Sequence, residues 1–157
     1  YETILKLKNK VKTIICPLGV GSHFEYWGFD TSHIIERNWY ETISLDDNLT
    51  IDLAPTRHFG GRTFKRNYTL WTSYIVSFPD YKLYIGGDSG FDSHFEEIGK
   101  KFGEIDFALL ENGQYNEAWK YIHLLPNEVL KASKQLNAKR LMPIQKSVFF
   151  IQKMPIQ

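Results

Sequence analysis

One cysteine, Cys16, stands among 157 residues. That count excludes an internal disulfide framework and a cysteine-built zinc site. Within TIICPLG a small buried hydrophobe is the ordinary reading of this thiol. No apolar run is long enough to span a bilayer, and no signal-peptide pattern opens the sequence, so a reducing, cytoplasmic setting is the expectation. An excess of one charge is missing too. The net charge is +1, with both signs interspersed, which gives no electrostatic basis for binding nucleic acid. The one basic cluster, KLKNKVK from Lys6 to Lys12, reads as a solvated helix end before a strand. No linker is visible. MPIQ occurs at Met142–Gln145 and again at Met154–Gln157, but four residues do not make a structural repeat.

What is present is apolar. Hydrophobic residues make up 43% and aromatics 15% of the chain, a globular composition rather than a disordered one. The length suits one domain, residues 1–157, with a real core. Tyr1 stands where a natural chain has Met, so the expectation is that sequence precedes it.

Strands and helices alternate. YETILKLKN reads as a helix tail, VKTIICPLG as a strand closed by Pro17 and Gly19, and SHFEYWG as a short helix ended by Gly28. ETISL and LTIDLAPTRHFGG read as strands about the turn Asp46-Asp47-Asn48. LWTSYIVSF and KLYIGGD form a hairpin around Pro79-Asp80-Tyr81. SHFEEIGKKFG follows as a helix, with Ser93 and Glu96 as a capping box and Gly103 as its stop. IDFALLENG is a buried strand, PNEVLKASKQLNA a helix with Pro126 in its first position, and KRLMPIQ a last short strand. Strand pairs followed by strand–helix units predict a layered α/β or α+β domain.

Several strands stop on polar residues: His58 after LAPTR, Asp88 after YIGG, Glu111 and Asn112 after FALL, Gln145 after LMPI. In layered α/β proteins the loops beyond strand ends share a rim, where sites are built. An imidazole and a carboxylate meeting there suit a divalent transition metal such as zinc. The glycines beside Asp88 let the backbone come close enough for its short side chain to reach an ion. Each residue also has an ordinary reading. A histidine after a strand is often a surface group, an Asp before Ser-Gly often an Asx-turn, and Glu111 and Asn112 can satisfy backbone groups. His23, His33 and His94 carry no spacing signal and are read as structural. From the residues alone both readings stay open.

Three segments, LAPTRHFGGRTFKRNYTLWTSYIV, LYIGGDSGFDSHFEEIGKKFGEIDFALLENGQYNEAWKYIH and LMPIQKSVF, carry motifs in a specific order. These are Arg-Asn…Thr-Leu-Trp, Gly-Asp-Ser-Gly, and Gly-x-Tyr before a Trp and a His. With them the chain resembles the metallo-β-lactamase superfamily, in the branch of N-acylphosphatidylethanolamine-hydrolysing phospholipase D and its bacterial relatives. The likeness runs from Tyr1 to about Phe149.

The resemblance implies an αββα sandwich with two metal ions, usually zinc (Zn2+), at one edge of its sheets. It implies His58 as a metal histidine, Asp88 as the carboxylate bridging the metals, and His123 as a histidine near the substrate that assists catalysis. Gln145 stands where the family has a further metal histidine, and a neutral amide oxygen binds zinc far more weakly than imidazole. The family's H-x-H-x-D-H motif occurs nowhere in the sequence. The expectation is therefore an N-terminally incomplete, partial αββα domain that begins just downstream of that motif. The activity implied is metal-assisted hydrolysis of a small-molecule or lipid phosphodiester. A lactonase-type hydrolase and a degenerate, non-catalytic remnant are the alternatives. For this chain alone the ligand count predicts weak metal binding at most and little turnover, and incomplete sheets leave a homo-oligomer, aggregation or reliance on a partner segment as the open expectations. Leu125, in place of the usual Asp cap before Pro126, costs about 1 kcal/mol or less.

Overall fold

The computed structural model describes residues 1–60, 68–113 and 116–145. Arg66-Asn67, Gln114-Tyr115 and the second MPIQ, all singled out in the sequence, lie outside the described residues.

Six strands form one sheet in the order β3-β4-β5-β6-β7-β8: β3 Thr42–Asp46, β4 Leu49–Pro55, β5 Thr72–Phe78, β6 Tyr81–Ile85, β7 Phe107–Glu111 and β8 Leu141–Ile144. The first four are antiparallel neighbours, whereas β6, β7 and β8 run parallel. The order follows from the connections. Asp46-Asp47-Asn48 and Pro79-Asp80 are too short to do anything but reverse the chain. The links after β6 and β7 are long enough to carry helices α3 (His94–Phe102) and α4 (Pro126–Gln135), as parallel pairing requires.

Alternation then decides the faces. In β5 the side chains of Ser73 and Ile75 are buried, and Ile75 pairs with Tyr84 of β6, which in turn pairs with Ala108 of β7. Ile75, Tyr84 and Ala108 meet Phe95 and Ile98 of α3 and Val129 and Ala132 of α4 in one apolar core. Tyr74, between Ser73 and Ile75, must point to the opposite face. There its hydroxyl donates to the carbonyl oxygen of Ile15 at 3.2 Å. Ile15 belongs to β1 (Ile14–Pro17), which pairs in parallel with β2 (Ile34–Arg37) as a second, two-stranded sheet. Helices α1 (Glu2–Leu7) and α2 (Gly21–Tyr26) accompany this small sheet. The result is the mixed, layered α/β architecture expected.

Two local expectations need correction. β2 is absent from the sequence reading, because the four residues IIER are half charged and pair only with a strand seventeen or more residues away. The Ser93–Glu96 capping box does not form. Ser93 already has helical dihedrals (φ −58°, ψ −23°), unlike an N-cap, and its hydroxyl donates to Glu97 Oε1 at 2.9 Å. At Leu125 the expected lack of a side-chain cap holds, and Glu128 Oε2 accepts only the Leu125 N–H, at 2.9 Å. Among the described residues, no helix is long and apolar enough to cross a membrane.

Candidate metal centre

Asp88 reaches the rim because β6 cannot continue past it. The ladder runs one residue beyond the strand, with Gly86 N–H donating to Leu109 O at 2.9 Å. Gly87 then takes a left-handed φ of 62°, a turn that a side chain would resist. The acid is thereby lifted off the sheet end. His58 arrives three residues after β4, and its Nε2 lies 3.8 Å from Asp88 Oδ2. His123 comes from the loop ahead of α4. One ligand atom from each of His58, Asp88 and His123 falls within 4.8 Å of the others. The three side chains that the sequence marked for chemistry thus converge.

Their surroundings fix the nitrogen chemistry. His58 Nδ1 donates to Phe59 O at 3.0 Å, leaving a lone pair on Nε2. Its ring lies parallel to that of Phe59, with centroids 5.0 Å apart, and edge-on to His123 at 5.5 Å. Among the described residues Asp88 Oδ1 is buried without a hydrogen-bond partner, a costly state for a carboxylate oxygen that a cation would relieve. Two imidazoles and a carboxylate make a borderline N/O donor set, and three protein ligands with a position left open is the pattern of catalytic zinc. The residues present fit a divalent cation.

Behind them stands Glu111, the last residue of β7, with only 2% of its surface exposed. Its Oε1 accepts the N–H of Ser89 at 2.7 Å and of Leu124 at 3.2 Å, and its Oε2 lies 2.7 Å from His123 Nδ1. Burial pushes the Glu111 carboxyl above its ordinary range, and the Ser89 N–H, the His123 ring and the Leu124 N–H oppose that shift. The signal was a charge closing an apolar strand, FALLE. The reading that Glu111 satisfies backbone groups holds for Ser89 and Leu124, while its contact with His123 was not foreseen. Asn112 contributes its backbone N–H to Ile144 O at 2.9 Å. Gln145 is exposed after β8, one residue beyond the Glu111–Ile144 pairing, at a left-handed φ of 54°.

Ser89 ties the rim together. Its hydroxyl accepts the Arg57 N–H at 3.0 Å and lies 3.1 Å from His94 Nε2. His94 is 7% exposed, and burial pushes its pKa down to about 4, against the smaller upward pull of Asp92 and Glu97. Its expected consequence is acid sensitivity. The unfolded chain takes up this proton near pH 6.5 and the folded one only near 4, so stability is full above pH 6.5 and falls towards pH 4, by about 3 kcal/mol. Urea unfolding from pH 7.5 to 4 checks this. A His94→Gln variant should lose less stability over that range, and parallel curves would refute the assignment.

A family model described as beta-lactamase superfamily domain matches residues 1–144. Outer membrane protein RomA of Klebsiella pneumoniae is 46% identical over 101 residues, 64% of this chain and 76% of that protein. N-acyl-phosphatidylethanolamine-hydrolyzing phospholipase D 1 of Caenorhabditis elegans is 30% identical over 148 residues. That match covers 88% of this chain but 41% of the relative, so the chain spans less than half of it. Among solved structures, Igni18, a metallo hydrolase from Ignicoccus hospitalis, superposes with a TM-score of 0.70 at 20% identity, over 90% of this chain and 56% of that one. Sheet order, convergent His58, Asp88 and His123, and these matches agree: the chain belongs to the β-lactamase superfamily, with the metallo-β-lactamase fold.

Proposed function

We propose that the chain carries part of the metal centre of a metal-dependent hydrolase acting on phosphodiesters, in the manner named for its nematode relative. The observation that supports this reading is the convergence of His58, Asp88 and His123, one ligand atom of each lying within 4.8 Å of the others. Asp88 and His58 would hold the cation, and His123 would ligate it or orient a substrate oxygen. A divalent cation bound there, zinc by its donor set, supplies Lewis acidity towards a phosphoryl or carbonyl oxygen. A hollow of about 280 Å³, lined by Phe24, Trp27, Phe59 and Trp71 together with the polar His23 and Thr69, includes Phe59, the residue after His58. It suits an apolar substituent on a small or lipid phosphodiester.

Gln145 favours a second reading, a degenerate site that binds metal weakly and turns nothing over. Zinc titration of wild type and Gln145→His decides between them. An imidazole at a true ligand position should tighten binding at least about tenfold, or 1.4 kcal/mol. No zinc binding by either protein, together with no hydrolysis of a bis-aryl phosphodiester, would rule out the hydrolase reading for this chain.

A further inference from the structure

The Glu111 carboxylate meets three nitrogens from two loops, and two of them can only donate. The N–H groups of Ser89 and Leu124 are backbone and point at Oε1 at 2.7 and 3.2 Å. Oε1 must therefore be an acceptor. The third partner, His123 Nδ1 at 2.7 Å from Oε2, is a ring nitrogen that can carry a proton or a lone pair. With both backbone N–H groups on Oε1, an ionised Glu111 offers His123 only an acceptor at Oε2, which places the ring proton on Nδ1 and leaves the lone pair on Nε2. Ser89 follows Asp88 directly, and its hydroxyl accepts the N–H of Arg57, the residue before His58. One buried pair, Ser89 and Glu111, thus braces the backbone behind all three convergent side chains.

We propose that Glu111 is a positioning residue, which selects the Nδ1–H tautomer of His123 and locks the loop after β6 to the loop before α4. The tautomer follows from hydrogen bonding to Glu111 in its ionised form. What the free Nε2 lone pair serves rests on the metal-hydrolase reading above.

Glu111→Gln separates positioning from simple space-filling, since it preserves size and shape. The glutamine oxygen stays with the two backbone N–H groups, because turning the amide over would confront both with another donor and lose two bonds to keep one. Its NH2 then faces His123 Nδ1, which must become the acceptor, and the ring proton moves to Nε2. A merely structural glutamate would leave the tautomer unchanged.

The test is 15N NMR of the histidine rings in the full 157-residue chain, metal-free at pH 8.5, with zinc titration of the same samples. Wild-type His123 should show a protonated Nδ1 and a bare Nε2, and the two signatures should exchange in Glu111→Gln. Zinc affinity should then fall about 10- to 100-fold, the range for residues that orient a ligand. A wild-type ring protonated at Nε2, singly or doubly, overturns the proposal, and so does an unchanged tautomer in the variant. If the variant does not fold, the wild-type spectrum decides by the same criterion. An exchanged tautomer with no zinc bound by either protein upholds the positioning role and counts against the metal reading, so the two fail separately.

Discussion

Replacing Asp88 with alanine should abolish zinc binding by this chain and, in the same experiment, make the metal-free protein more stable. The two effects have one cause. Asp88 Oδ1 is buried with no partner among the described residues, while Oδ2 stands 3.8 Å from His58 Nε2. Without a cation the carboxylate is held in a place that suits it poorly, and deleting an unsatisfied buried acceptor returns about 1 kcal/mol. The side chain is 39% exposed, which keeps that gain at the low end. With a cation the balance reverses. Asp88 is the only acid of the convergent three, so losing it should weaken zinc by more than the roughly 100-fold reached when an orienting residue is removed. Calorimetric zinc titration and urea unfolding in chelator measure the pair. A metal-free variant less stable than wild type, or one that still binds zinc, would contradict this account.

Much of the frame was legible because it rests on local rules. The turns at Asp46-Asp47-Asn48 and Pro79-Asp80, the apolar alternation of TSYIV and the first-position Pro126 each specify their element within a few residues. His58 and Asp88 were legible for the same reason, as polar residues ending apolar strands. What stayed hidden depends on residues far apart in sequence. β2 is a strand only because β1 lies alongside it. Glu111 acquires its role only when Ser89, twenty-two residues earlier, and His123, twelve later, arrive at its two oxygens. The Ser93 hydroxyl was misread because a capping box depends on backbone dihedrals that composition does not fix. Local chemistry names the candidates, and tertiary contact assigns the work.

Gly90→Ala should show how tightly that tertiary arrangement is held. Gly90 does not need glycine for its dihedrals, since it is absent from the positive-φ positions. It needs glycine for space. A methyl group there would lie 2.8 Å from Ile122 N and closer still to the carbonyl carbon and oxygen of Tyr121. Those atoms are backbone and cannot rotate aside. Neither can Gly90 retreat easily, because its N–H donates to Arg57 O at 2.9 Å, next to His58. On the far side the Arg57 guanidinium sits 4.6 Å from the Tyr121 ring centroid and pairs with Asp92 at 3.0 Å, so the 121–122 segment is held from both sides. Overpacking of this kind costs 1–3 kcal/mol, and the upper part, about 2–3 kcal/mol, is expected where only backbone can yield. The strain must pass to His123, one residue on, and to its bond with Glu111. A displacement of about 1 Å in a catalytic group typically costs on the order of 100-fold in rate. The variant should therefore lose zinc affinity or turnover beyond its loss of stability, with the His123 ring resonances shifted. Chemical denaturation, zinc titration and ring NMR of Gly90→Ala measure the three effects together. Wild-type stability with unmoved His123 resonances would show that the loop before α4 is free to yield, and that His58, Asp88 and His123 are not held in register by this contact.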